Sequence, residues 1–217
     1  MKGMGAVPGG TGGPDLVTEA DLRQAIDEHQ VMMRAVAGMI PDVQGVAGVM
    51  VGRLAAGGRV YWFGNGGSST QAQHFATELV CRFERERRGL PSVAFSTDTS
   101  VMTAVANDYS FDDVFARQVE ALVRSDDVVV GISTSGTSAN VLHGIDAAKA
   151  IGAYTVGMTG GDGGKLAKMC DTALIAPSNR TCRIQEAHLF LGHAICDMVE
   201  AAAGAPDRKT GGHVRPD

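Results

Sequence analysis

Val60-Tyr61-Trp62-Phe63-Gly64-Asn65-Gly66-Gly67-Ser68-Ser69-Thr70 begins as a short apolar run and passes through a glycine-rich turn into a segment with helical spacing. A continuous apolar run of this length, bounded by a turn, is the pattern of a strand buried on both faces of a parallel sheet. The same order returns downstream. Asp127 to Ile132 is the clearest strand of the chain, and it feeds Ser133-Thr134-Ser135-Gly136-Thr137-Ser138 and a helix over about 138–151. Further strands are expected at Pro91–Phe95, Tyr154–Met158 and Thr172–Ile175, and helices at about 69–83, 100–106, 111–123, 164–169 and 181–203. Strands alternating with helices imply an α/β fold. The expected architecture is a doubly wound, parallel, five-stranded sheet flanked by helices, with ligands at the carboxyl ends of the strands.

Upstream of this pattern lie two leading helices. Thr18 and Asp21 have the spacing of an N-terminal capping box. Leu22, Ile26, Met33, Val36 and Ile40 then recur at helical spacing until Pro41 interrupts the chain, and a second apolar helix runs from about Pro41 to Ala56, ending at Gly57-Gly58. Residues 1–14 and 204–217 are Gly-, Pro- and polar-rich and are expected to be disordered tails around a single domain at 15–203. A chain of 217 residues that is 44% hydrophobic and 20% charged suits one well-buried domain. Its net charge of −5 offers nucleic acid no whole-molecule attraction. No apolar run approaches the roughly 18 residues that span a bilayer, and no apolar signal core opens the chain. The four cysteines, Cys81, Cys170, Cys182 and Cys196, form no CxxC pair. They read as reduced thiols, with Cys81 and Cys196 facing the core. A cytoplasmic protein without nucleic-acid or membrane partners is expected.

Two loops carry the chemistry. Gly64 to Thr70 and Ser133 to Ser138 each follow a strand and open a helix, where free backbone N–H groups and hydroxyls make an anion cradle. The second loop places five hydroxyls in six residues with no Lys or Arg beside them, which suits a phosphate monoester held by hydrogen bonds. Nucleotide motifs do not fit. Gly64 to Ser69 spells GxGxxS rather than GxGxxG, and Thr159 to Leu166 lacks the leading Gly and the Ser/Thr of a P-loop.

These loops, with Ala72-Gln73-His74-Phe75-Ala76-Thr77-Glu78, Thr103-Ala104-Val105-Ala106-Asn107-Asp108, Arg183-Ile184-Gln185-Glu186-Ala187-His188 and His193, resemble the SIS (sugar isomerase) domain family, most closely the bacterial phosphoheptose isomerases. The resemblance covers about Val60 to Glu200. It implies conversion of sedoheptulose 7-phosphate to D-glycero-D-manno-heptose 7-phosphate by a homotetramer with active sites at subunit interfaces. It further implies substrate contacts at Asn65, Gly66, Gly67, Ser68, Glu78, Asn107, Asp108, Ser133, Thr134, Ser135, Ser138 and Gln185. Zn2+ ligands are implied at His74, Glu78, Gln185 and His193, and acid/base roles for Glu78 and His193. Ser69-Thr70-Gln71 stands where many relatives have Ala-Ala-Asp, and Thr137 where they usually carry Asn. The alternative is a non-catalytic SIS regulator that binds a sugar phosphate or a partner protein.

Some of this has independent physical content. His74 and Glu78 are four residues apart, so they share one helix face, and an imidazole with a carboxylate can hold zinc. Gln185 and His193 are separated by about 12 Å of helical rise. An ion touching both is expected to join two chains or to sit where the helix bends. Aldose–ketose interconversion needs a base for the C1/C2 proton, an acid at the oxygens and something to stabilise oxyanion character. Arg82, one turn beyond Glu78, is either a partner for that carboxylate or part of the solvated charge run 82–88. His188 is read either as a competing ligand or a partner to one, or as a hydrogen-bonded histidine at a subunit interface. His29, His143 and His213 are given no chemistry.

Overall fold

The structure is a computed structural model that describes residues 17–204. The tails expected at 1–14 and 204–217 lie outside the described residues except for Gly204. β1 (Val60–Gly64) and β3 (Val128–Ile132) are neighbours at the centre of the sheet, and every residue of both is buried. Alternation along each strand divides their side chains between two cores. Val60, Trp62, Val128, Val130 and Ile132 enter one, and Tyr61, Phe63 and Val129 enter the other. β2 (Ser92–Ala94), β4 (Tyr154–Gly160) and β5 (Thr172–Ala176) complete five parallel strands in the order β2-β1-β3-β4-β5. The chain changes direction across the sheet between β1 and β3. The crevice beyond their carboxyl ends is where an open α/β sheet admits a ligand.

One face of the sheet is covered by α1 (Glu19–Val36), α2 (Ile40–Ala55), α3 (Gly67–Val80) and α8 (Thr181–Ala202). The other carries α4 (Thr99–Asp108), α5 (Ala116–Leu122), α6 (Ala139–Ile151) and the short α7 (Leu166–Met169). The doubly wound five-stranded architecture is the expected one.

Thr18 caps α1 as the sequence implies: the Asp21 N–H donates to Thr18 Oγ1 (3.2 Å) and the Thr18 N–H to Asp21 Oδ2 (2.9 Å). Two leading helices form as expected, with Pro41 at the start of the second and the break just ahead of it. α1 runs through a 3-10 turn at Ala37–Met39 into α2, where Pro41 falls in the first turn and its missing N–H has no intrahelical partner to lose. The joined stretch Glu19–Ala55 is long and apolar enough, by length and composition alone, to cross a membrane. No uninterrupted apolar run of that length lies in it, since Asp42 and Arg53 fall within α2. The α2 residues Val43, Val46, Ala47 and Met50 are buried in the first core.

Other differences are local. Phe111–Asp113 forms a 3-10 turn ahead of α5 rather than one helix to Val123. β4 continues two residues further than expected, to Gly160. α3 starts at Gly67 and stops at Val80, so Cys81 is its C-cap and is exposed, not core-facing; Cys196 is buried. All four cysteines are free.

Candidate active site

At the carboxyl end of β3 the hydroxyl loop is drawn tight. Ser133 Oγ lies 2.9 Å from Ser138 Oγ, and Ser135 Oγ 3.0 Å from Thr137 Oγ1. Gly136 turns the loop at φ 64°, and a Cβ there would collide with the Gly163 carbonyl oxygen. Ser138 occupies the N-cap of α6 without bonding its side chain to that helix, and Gly66, the N-cap of α3, has no side chain to offer. The first-turn N–H groups of both helices therefore start beside the crevice without a side-chain cap, the usual arrangement for an anion. Ser68 is buried and Thr134 half-buried within these turns, while Ser135 is exposed. The two loops are joined directly. Asn65 Nδ2 donates to Asn140 Oδ1 (2.8 Å) and Asn140 Nδ2 donates to Asn65 Oδ1 (2.9 Å).

The second cluster lies along α3. Gly67, Gln71, His74 and Glu78 recur at helical spacing and form one stripe towards α8. Gln71 Nε2 donates to the Gln185 carbonyl oxygen (2.7 Å), His74 Nε2 lies 2.8 Å from His193 Nε2, and the Phe83 N–H donates to Glu200 Oε1 (2.8 Å). The two helices thus run parallel and in step. Glu78 Oε1 sits 3.3 Å from His74 Nε2, and one ligand atom from each of His74, Glu78 and His193 falls within 4.8 Å of the others. Two imidazole nitrogens in contact need a proton or a cation between them, and this N/O donor set fits zinc. Burial, and then the neighbouring His74, push His193 below its ordinary value, against the pull of Glu78. Gln185 lies at the loop end of α3. Its amide packs so closely on Gly67 that a Cβ there would strike it. α8 runs unbroken through Gln185 and His193, so no helix break brings the two together.

Comparison with known proteins bears on this arrangement. The family model for the SIS domain matches residues 26–160. The chain is 52% identical over 179 residues to the phosphoheptose isomerase of Aquifex aeolicus, covering 82% of this chain and 92% of that one. It is 47% identical over 183 residues to that of Paramagnetospirillum magneticum, covering 84% and 95%. Among solved structures, the phosphoheptose isomerase of Neisseria gonorrhoeae superposes with a TM-score of 0.80 at 40% identity, over 84% of this chain and 98% of that one. The chain belongs to the SIS-domain phosphoheptose isomerase family.

Within this SIS domain the other anticipated residues divide. Asn107 and Asp108 are exposed at the end of α4 and bond to each other (2.8 Å); among the described residues no hydrogen bond joins them to either loop. Arg82 pairs with Glu86 (3.1 Å) rather than with Glu78, which settles it as part of the solvated run. His188 is fully buried, bonds to the Thr159 carbonyl oxygen (2.9 Å), and is pushed down to about 4 chiefly by burial. The hydrogen bond fits the second reading, but its partner lies within the chain rather than across an interface. His29 pairs with Glu186 (2.7 Å) and His143 with Asp113 (3.2 Å), while His213 lies outside the described residues.

Sequence reasoning missed two buried groups of this phosphoheptose isomerase. Glu200, with no exposed surface, accepts N–H bonds from Phe83, Glu84 and Arg85 and lies 3.1 Å from Arg87. Burial opposes its ionisation, yet those N–H groups and Arg87 hold the carboxyl below its ordinary value. Arg87 in turn donates to the carbonyl oxygens of Glu78 and Leu79 (2.8 Å each) and closes the end of α3 behind the trio. Asn140 is the other. No local signal marks either group, because each is defined by a partner far along the chain.

Proposed function

We propose that this phosphoheptose isomerase converts sedoheptulose 7-phosphate to D-glycero-D-manno-heptose 7-phosphate through an enediol. The phosphate sits on the two loops, and C1 and C2 sit at Glu78 and His193. The observation that carries this reading is the single stripe on α3. Seven residues separate Gly67 at the phosphate end from His74 at the acid/base end, about 10 Å of rise. That is close to the reach of an extended seven-carbon sugar phosphate.

Ser133, Thr134, Ser135, Ser138 and the turn Asn65-Gly66-Gly67-Ser68 bind the phosphate through hydroxyls, amides and helix-start N–H groups. The Glu78 carboxylate takes the proton from C1 and returns it to C2. His193, whose value burial and the neighbouring His74 lower, gives a proton to O2 as the carbonyl becomes an enol and accepts one from O1 as the aldehyde forms. Gln185, beside Gly67, orients the middle of the sugar, and Asn107 and Asp108 close over its hydroxyls. Zinc held by His74, Glu78 and His193 would supply Lewis-acid stabilisation of the sugar oxygens; Gln185 joins such an ion only across a subunit contact. The enzyme acts as a homotetramer with sites at its interfaces, and in the cytoplasm, in keeping with four free cysteines. A non-catalytic scaffold would have no use for the converging His74, Glu78 and His193.

Nuclear magnetic resonance of sedoheptulose 7-phosphate incubated with the zinc-loaded protein tests the activity. New aldose 7-phosphate signals are expected, and an unchanged spectrum would contradict the reading. Metal analysis of the purified protein tests the ion: about one zinc per chain is expected, and a metal-free protein of full activity would remove it from the account.

A further inference from the structure

Asn140 belongs to neither expected loop. It is the second residue of α6, 2% exposed, and its side chain reaches back across the crevice to Asn65 at the end of β1. The two amides bond reciprocally, each donating one N–H and accepting one, at 2.8 and 2.9 Å. Such a pair needs an amide on both sides. A carboxylate on either side keeps one bond and sets two oxygens face to face, and an apolar side chain leaves a buried donor and acceptor without partners.

The pair also lies where the two halves of the cradle meet. The backbone carbonyl of Asn65 accepts the Ser68 N–H (2.9 Å) and so closes the first turn of α3, while Asn140 lies in the first turn of α6. Fixing one amide to the other sets the spacing between the two helix starts. It also leaves one N–H and one lone pair of the half-buried Asn65 outside the amide pair.

We propose that Asn140 is a positioning residue that makes the two loops one phosphate site, acting through Asn65 rather than by touching the phosphate. This rests on the reading of the loops as a phosphate site. The loops hold the phosphate only in the geometry that the amide pair sets, so loss of Asn140 weakens binding of the phosphate group more than it slows the chemistry at the far end of α3.

The test measures binding of inorganic phosphate and of sedoheptulose 7-phosphate by titration calorimetry. It also measures kcat and KM, for the wild type, Asn140→Ser, Asn140→Asp, Asn65→Ala and the double variant Asn65→Ala/Asn140→Ser, with circular dichroism to show that each is folded. Asn140→Ser is expected to weaken phosphate binding about tenfold, with the loss falling on KM more than on kcat. Asn140→Asp is expected to be worse, and the double variant little worse than the poorer single one. Phosphate affinity unchanged in folded Asn140→Ser, losses that multiply in the double variant, or a loss in kcat alone would overturn the proposal. Should Asn140→Asp not fold, the Ser variant and the double-variant comparison still decide. A wild type that binds phosphate but forms no aldose would break the isomerase reading and leave this one standing. An isomerase whose Asn140 variants bind phosphate as the wild type does would break this one alone.

Discussion

The two ends of α3 are built in opposite ways. The phosphate end is neutral and made of two locally continuous loops that supply hydroxyls, glycines and helix starts, with Ser133 and Ser138 already within 2.9 Å. The acid/base end is ionisable and discontinuous, since His74 meets His193 across 119 residues of chain. It is braced by the buried Arg87–Glu200 pair behind it. Local loops suit a ligand that needs many weak donors. A proton relay needs few groups, closely set, and a helix pair locked in step sets them more rigidly than a loop can.

The sharpest way to break the contrast is at Glu78. Glu78→Gln is expected to lower kcat by about a thousandfold with a small change in KM, read by steady-state kinetics. A change confined to KM would move Glu78 to the binding end. Next in size is the brace. Removing the carboxylate with Glu200→Ala leaves Arg87 and three backbone N–H groups without their acceptor. It is expected to cost about 3–5 kcal/mol of stability in denaturant unfolding. A loss under about 1 kcal/mol would mean that the pair does not hold the end of α3.

How much of each end could be read beforehand follows from the same contrast. The strand-turn-helix units at Val60 and Asp127 announce themselves locally, and with them come the sheet, the switch point and both loops. His74 and Glu78 are legible as neighbours because helical spacing alone puts them on one face. His193 is legible only through family resemblance, because nothing in the spacing of α8 says which of its residues meets α3. Arg87 looked like one more solvated charge in the run 82–88, and only Glu200 on the last helix makes it a buried anchor. Asn140 stayed hidden for the same reason. Pro41 was legible as a helix start, because a proline is tolerated in the first turn and not in the interior.

A smaller effect distinguishes the histidines. His188, buried between the ends, has its value lowered from 6.5 to about 4. Its neutral form stabilises the fold fully above pH 6.5, and that contribution fades as pH falls towards 4, because the unfolded chain takes the proton first. The wild type is expected to lose about 3 kcal/mol more than His188→Asn over that interval in pH-dependent unfolding; parallel curves would contradict it. Smallest is Ser138→Ala, expected to weaken inorganic phosphate binding about five- to tenfold by calorimetry. No change would take Ser138 out of the cradle.

The central claim is that Glu78 moves a carbon-bound proton in a sugar phosphate held by the loops. Deuterium entry at C1 and C2 of sedoheptulose 7-phosphate in deuterated water tests it most directly, with the zinc-loaded wild type and Glu78→Gln side by side. Label is expected in the wild-type sugar pool, where the carboxyl proton exchanges with solvent before it is returned, and none above background is expected with the variant. Label appearing equally with both, or aldose forming equally with both, would contradict it.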